Sequence, residues 1–145
     1  MSREYTVRAF MTSPAASISR DSTLLDAALL LRRSGIRHLP VVEGDQLVGI
    51  ITDRDISRLS PSLLMKISPE EYNSIFENTP LARVMTRNPV SVSPDTSIRT
   101  AAQILQERKL GCLPVVEDGR LVGIITVTDM LGVLVQLLTD VPAPA

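Results

Sequence analysis

Two aspartates, Asp55 and Asp129, each stand three residues after a threonine and six after a glycine, in Gly49-x-x-Thr52-x-x-Asp55 and Gly123-x-x-Thr126-x-x-Asp129. A carboxylate one turn into a helix can accept hydrogen bonds from both vicinal hydroxyls of a sugar, because the ionised group offers two oxygens and no competing donor. The same spacing is close to a capping box, in which the threonine and aspartate serve only the helix end. Both readings stand on these residues alone, and capping is the commoner use. Around the first copy lie Arg37, His38 and Arg54. Side chains of this kind can engage an anion where a fold brings them together. The arginines read equally as solvated or dimer-interface charges, and the single histidine as a partly buried, hydrogen-bonded side chain. Catalysis has little to work with: no nucleophile–base pair and no set of metal ligands is visible, so no catalytic residue, no catalytic cofactor, no metal and no enzyme is expected. The one cysteine, Cys112, permits no internal disulfide and reads as a small buried hydrophobe.

Composition narrows the partners. The chain has 145 residues, enough to bury roughly 70% of its unfolded surface. Fifteen Lys and Arg against 16 Asp and Glu leave no global field for nucleic acid or an anionic membrane. Two Phe, two Tyr and no Trp offer no stacking platform for single-stranded bases. Apolar stretches such as MLGVLVQLL at 130–138 fall short of the ~18–20 residues of a membrane span, and the start MSREYTVR lacks a signal-peptide pattern. A cytoplasmic protein is expected, with neither nucleic acid nor membrane as partner.

The elements that must position these residues are written twice. Residues 11–56 laid over 85–130 without a gap give 20 identities in 46 positions, including Met11/Met85, Thr12/Thr86 and the LPVVE and LVGIIT blocks. This is an internal repeat. Each copy predicts a short strand (Ala16–Ser19; Val90–Ser93) and a helix started at Asp21-Ser22-Thr23 or Asp95-Thr96-Ser97. The helices carry apolar stripes: Leu24, Ala27, Ala28, Leu31 and Ile98, Ala101, Ala102, Leu105. Gly35 terminates the first, and two β-branched runs then flank Glu43-Gly44-Asp45 in copy one and Asp118-Gly119 in copy two, a hairpin signal. The sequence thus predicts an α+β fold of two β-α-β-β-α repeats, packed about a pseudo-twofold axis so that each covers the other's sheet. Residues 7–59 form repeat 1, 60–80 a connector with one short helix starting at Ser68-Pro69-Glu70-Glu71, and 81–138 repeat 2.

With its Met-Thr openings, Leu-Pro-Val-Val strands and paired Gly-x-x-Thr-x-x-Asp motifs, the chain resembles tandem CBS (cystathionine-β-synthase) domains, the regulatory Bateman module. It looks like the small stand-alone members, including the acetoin-utilisation type. The resemblance implies binding of AMP, ADP, ATP or S-adenosylmethionine in clefts between the repeats, with the bound state signalled to a partner protein.

Carried over residue by residue, it implies two unequal sites. One takes Asp55, Thr52 and Ile50, with Pro89, Val90 and Pro114 around the base, but Gly111, Cys112 and Thr128 face the phosphates. The other takes Asp129, Thr126 and Ile124, with Ala15, Ala16 and Pro40 around the base and Arg37, His38 and Arg54 facing the phosphates. The resemblance also implies a homodimer, for which Leu30, Leu31, Ile104 and Leu105 on the long helices are the expected contacts. The competing expectation is a constitutive dimerisation or interaction module whose nucleotide clefts are vestigial.

Overall fold

Local chemistry sets the helix ends in the computed structural model, which describes residues 5–59 and 67–139. The elements run α1 (Val7–Phe10), β1 (Ile18–Ser19), α2 (Leu24–Ser34), β2 (His38–Glu43), β3 (Gln46–Thr52), α3 (Asp53–Leu59) and α4 (Pro69–Asn78). They continue with α5 (Leu81–Val84), β4 (Thr86–Arg87), α6 (Ile98–Arg108), β5 (Cys112–Glu117), β6 (Arg120–Thr126) and α7 (Val127–Thr139). Helix α2 opens on a capping box: Thr23 Oγ1 accepts the Asp26 amide at 3.1 Å and Asp26 Oδ2 accepts the Thr23 amide at 3.0 Å. It closes on Gly35 at φ 64°, a left-handed position that glycine adopts without a Cβ penalty. Ser97 caps α6 through the Thr100 amide, and Ser68 caps α4 with Pro69 in its first turn, where the expected connector helix starts. The β5–β6 turn places Asp118 and Gly119 at φ 53° and 79°, the two positive values of a tight hairpin.

Two compact units result, residues 16–89 and residues 1–15 with 90–145. In the 16–89 unit, β1 runs parallel to β2, β2 antiparallel to β3, and β3 antiparallel to β4. Leu24, Ala27 and Leu31 of α2 close one side of its core, with Leu39, Val41, Ile51, Phe76, Leu81 and Met85. Each leucine buried in this way contributes roughly 1.5–3 kcal/mol. The other unit repeats the plan: β5 and β6 pair antiparallel, Val92 bridges to Val115 on one side and Thr12 to Ile124 on the other. Its core joins Val7, Val92, Ile98, Ala101, Leu105, Leu113, Val115, Ile125 and Val133. The strand expected at Val90–Ser93 is reduced to the single bridge at Val92, hemmed between Pro89 and Pro94, neither of which has an amide to donate.

The units are not the sequence repeats. The opening segment of copy one, Val7–Thr12, lies on copy two's hairpin, and the opening segment of copy two, Leu81–Arg87, lies on copy one's. The apolar surface also falls elsewhere than expected. Leu31 and Leu105 are buried, and Leu30 and Ile104 pack against their own cores. Helix α7 instead exposes Val127, Leu131, Leu134, Val135 and Leu138, with Val135 at 65%. Among the described residues no helix is long and apolar enough to cross a membrane.

Candidate functional site

Both motif aspartates are caps. Thr52 Oγ1 accepts the Asp55 amide at 3.1 Å while Asp55 Oδ2 accepts the Thr52 amide at 2.9 Å, and Thr126 and Asp129 repeat the pair at 3.1 and 2.9 Å. Each carboxylate spends one oxygen on its helix. The other, Oδ1, accepts no hydrogen bond from a described residue, and both side chains are half-buried. Capping and ligand binding are therefore compatible at the same residue. The helix ends are more nearly saturated than the sequence suggests. The Val127 amide donates to Gly111 O at 3.0 Å and the Asp53 amide to Arg37 O at 2.9 Å, so among the described residues that of Thr128 alone of the first-turn amides of α7 has no acceptor.

The cationic residues are gathered within one unit by hairpin register. His38, first in β2, pairs with Thr52, last in β3, and Arg37 O holds the first amide of α3. Arg54 follows two residues after Thr52, so Arg37, His38, Arg54, Thr52 and Asp55 share one end of the 16–89 unit. Arg37 and Arg54 are exposed. The pKa of His38 is lowered below its ordinary 6.5, chiefly by burial, then by the neighbouring Arg37 charge, with Asp53 opposing. Asp53 is a member of this cluster that the sequence did not point to. Its copy-two counterpart, Val127, was the available signal.

At the three equivalent positions of the other unit no cation stands. Cys112 pairs with Thr126 in the same register, with Gly111 before it and Thr128 in the first turn of α7. Cys112 is buried and its thiol is pushed up to about 12 by that burial, which makes it a core residue. Of the residues assigned around a base, Pro40 and Pro114 are buried, as are Ile50 and Ile124, which the resemblance groups with the motif threonines and aspartates. The backbone of Ile124 is committed: its amide donates to Thr12 O at 3.0 Å and its carbonyl accepts the Thr12 amide at 2.8 Å. The remaining base-facing pairs, Ala15/Ala16 and Pro89/Val90, mark the two points where the chain passes from one unit into the other.

The glycine of each motif has a packing reason. A Cβ at Gly49 would stand 2.5 Å from Met85 Sδ, and one at Gly123 2.8 Å from Met11 Sδ. The Met-Thr openings and the motif glycines are thus complementary halves of one contact, each half supplied by a different repeat.

The profile of the CBS domain matches residues 7–62 and 81–136. A CBS domain-containing protein of Dictyostelium discoideum is 33% identical over 138 residues, covering 94% of this chain and 95% of its own. A crystal structure from Vibrio cholerae assigned to acetoin utilization (AcuB) superposes with TM-score 0.76 at 34% identity, covering 96% of this chain and 98% of its own. CBSX2 of Arabidopsis thaliana, crystallised in complex with AMP, superposes with TM-score 0.78 at 31% identity, covering 92% and 98%. A CBS domain pair crystallised with 5′-methylthioadenosine and S-adenosyl-L-methionine gives TM-score 0.74 at 25% identity, covering 91% and 97%. With two matched domains filling most of its length and a capped Gly-x-x-Thr-x-x-Asp helix in each, this chain belongs to the CBS-domain family as a tandem pair, a regulatory and non-catalytic module.

Proposed function

We propose that this chain is a cytoplasmic sensor of an adenosine-containing ligand, an adenine nucleotide or S-adenosylmethionine. Its ribose is held by Asp129, and its phosphates or equivalent polar end by Arg37, His38 and Arg54. The observation that carries this reading is the inequality of the two units. One gathers two arginines and a histidine at the end of its hairpin, whereas the other holds Gly111, Cys112 and Thr128 at the same places. A nucleotide needs a charged acceptor for its ribose and cations for its phosphates. Asp129 keeps one carboxylate oxygen uncommitted for the first, and the His38 end supplies the second. In this reading Thr126 and Ile124 support the ribose, and Ala15, Ala16 and Pro40 border the base. A ligand at Asp55, bordered by Thr52, Ile50, Pro89, Val90 and Pro114, turns its polar end to Gly111, Cys112 and Thr128 and binds as an uncharged adenosine compound or not at all. The relatives crystallised with AMP and with S-adenosylmethionine supply the ligand class.

Binding acts by favouring one arrangement of the pair over another, which a partner protein reads. The pair works as a homodimer whose contact is the exposed apolar face of α7. That face also favours the second reading, a constitutive interaction module in which Asp55 and Asp129 serve only as caps.

Titration calorimetry of the wild type, Asp129→Ala and Asp55→Ala with AMP, ATP and S-adenosylmethionine separates the two. Loss of binding on Asp129→Ala with little change on Asp55→Ala supports the sensor. No binding by the wild type hands both aspartates to the interaction module.

A further inference from the structure

We infer that Arg58 extends the cationic end of the 16–89 unit into a track along α3, so that the site reads the length of a phosphate chain and favours a nucleoside triphosphate over a monophosphate. This rests on the reading given above. Arg54 and Arg58 are four residues apart on α3 and lie on one face, about 6 Å apart along the axis. Long helical side chains lean toward the N-terminus, a direction that brings Arg58 within reach of a ligand held at the turn of Arg54. Both are exposed, and neither forms an ion pair with a described residue.

Two features argue that this pair is more than a solvated surface. Arg54 stands in the first turn of its helix, where the dipole disfavours a cation, so helix stability does not account for it. In copy two both positions lose their charge together, becoming Thr128 and Gly132. Packing does not dictate that change, because a Cβ at Gly132 would meet nothing within 4 Å. The arginines are present only in the unit that also holds Arg37 and His38. Extended beyond Arg54, the series Arg37, Arg54 and Arg58, with the His38 ring beside it, offers more donors than a single phosphate can engage.

The dipole does favour a cation at Arg58, in the last turn, so the test must separate ligand contact from helix support. Titration calorimetry of the full chain with adenosine, AMP, ADP and ATP, for the wild type, Arg58→Ala and Arg58→Lys, does so. Arg58→Ala is expected to weaken ATP about tenfold, the loss of one charge-assisted contact, and to leave AMP and adenosine within about twofold. Arg58→Lys should recover most of the ATP affinity, because a phosphate needs the charge more than the planar fork. Equal weakening of ATP and AMP, or no change in either, overturns the inference while leaving the sensor reading in place. A wild type that binds no adenine nucleotide overturns the inference, and one that also fails to bind S-adenosylmethionine overturns the sensor reading.

Discussion

The carbonyl oxygen of Thr12 stands 2.9 Å from the position that a Cβ on Gly123 would take. That oxygen is fixed, because it accepts the Ile124 amide at 3.0 Å while the Thr12 amide donates to Ile124 O at 2.8 Å. Gly123→Ala must therefore push apart the opening segment of one repeat and the hairpin of the other. We expect a stability loss of about 1–3 kcal/mol, the usual cost of overpacking, measured by chemical denaturation. Trimming the sulfur with Met11→Ala should not restore it, since the obstacle is backbone. Full rescue by that second substitution would show that the methionine alone sets the requirement.

Asp129→Asn separates the two uses of this carboxylate. An amide oxygen still accepts the Thr126 amide, so the helix end should lose no more than about 0.5 kcal/mol. The ribose loses a charged acceptor, whose bonds contribute roughly 1.5–3 kcal/mol against 0.5–1.5 for neutral ones. Nucleotide affinity should therefore drop about tenfold or more while the melting temperature barely moves. Parallel loss of stability and affinity would return Asp129 to a purely capping role.

His38 links binding to protons. Its pKa lies below 6.5 because burial and Arg37 both oppose the imidazolium. The folded state thus prefers the neutral form. That contribution to stability is present above 6.5 and is lost as the pH falls through the lowered folded value. A phosphate beside the ring acts in the opposite sense and stabilises the proton, so ATP binding should take up a proton and tighten as the pH falls from about 8 to about 6. Calorimetry in two buffers of different ionisation enthalpy measures that uptake. The part due to the ring is the difference from His38→Gln, and a difference of zero across the window would remove His38 from the phosphate contact.

Val135→Glu tests the face of α7. At 65% exposure the residue contributes little to its own core, so the variant should fold with nearly unchanged stability. A buried glutamate facing its own symmetry mate cannot find a partner, and a twofold contact repeats the error on both sides. Light scattering should report a dimer for the wild type and a monomer for the variant. A dimeric Val135→Glu protein would place the contact elsewhere.

Much of this protein was legible from residues a few positions apart, because the signals are local. The apolar spacing of Leu24, Ala27 and Leu31 names the face that α2 buries, Thr23 and Gly35 bound that helix, and Asp118-Gly119 sets the hairpin turn. The repeat itself, with its unequal charges at residues 37, 38 and 54 against 111, 112 and 128, needs only the sequence. What the tertiary structure decided depends on groups far apart in the chain. Nothing near Met11 says that it will lie on Gly123, because a one-residue strand pairing has no periodicity to read and is fixed by a cleft that opens only where a distant residue lacks a Cβ. The filling of the helix-end amides by Gly111 O and Arg37 O, and the place of Asp53 beside His38, follow from strand register in the folded hairpins. The apolar excess of the chain was visible in its composition, but only competition among helix faces for a finite core left most of it on α7, after Leu31 of α2 and Leu105 of α6 had been buried.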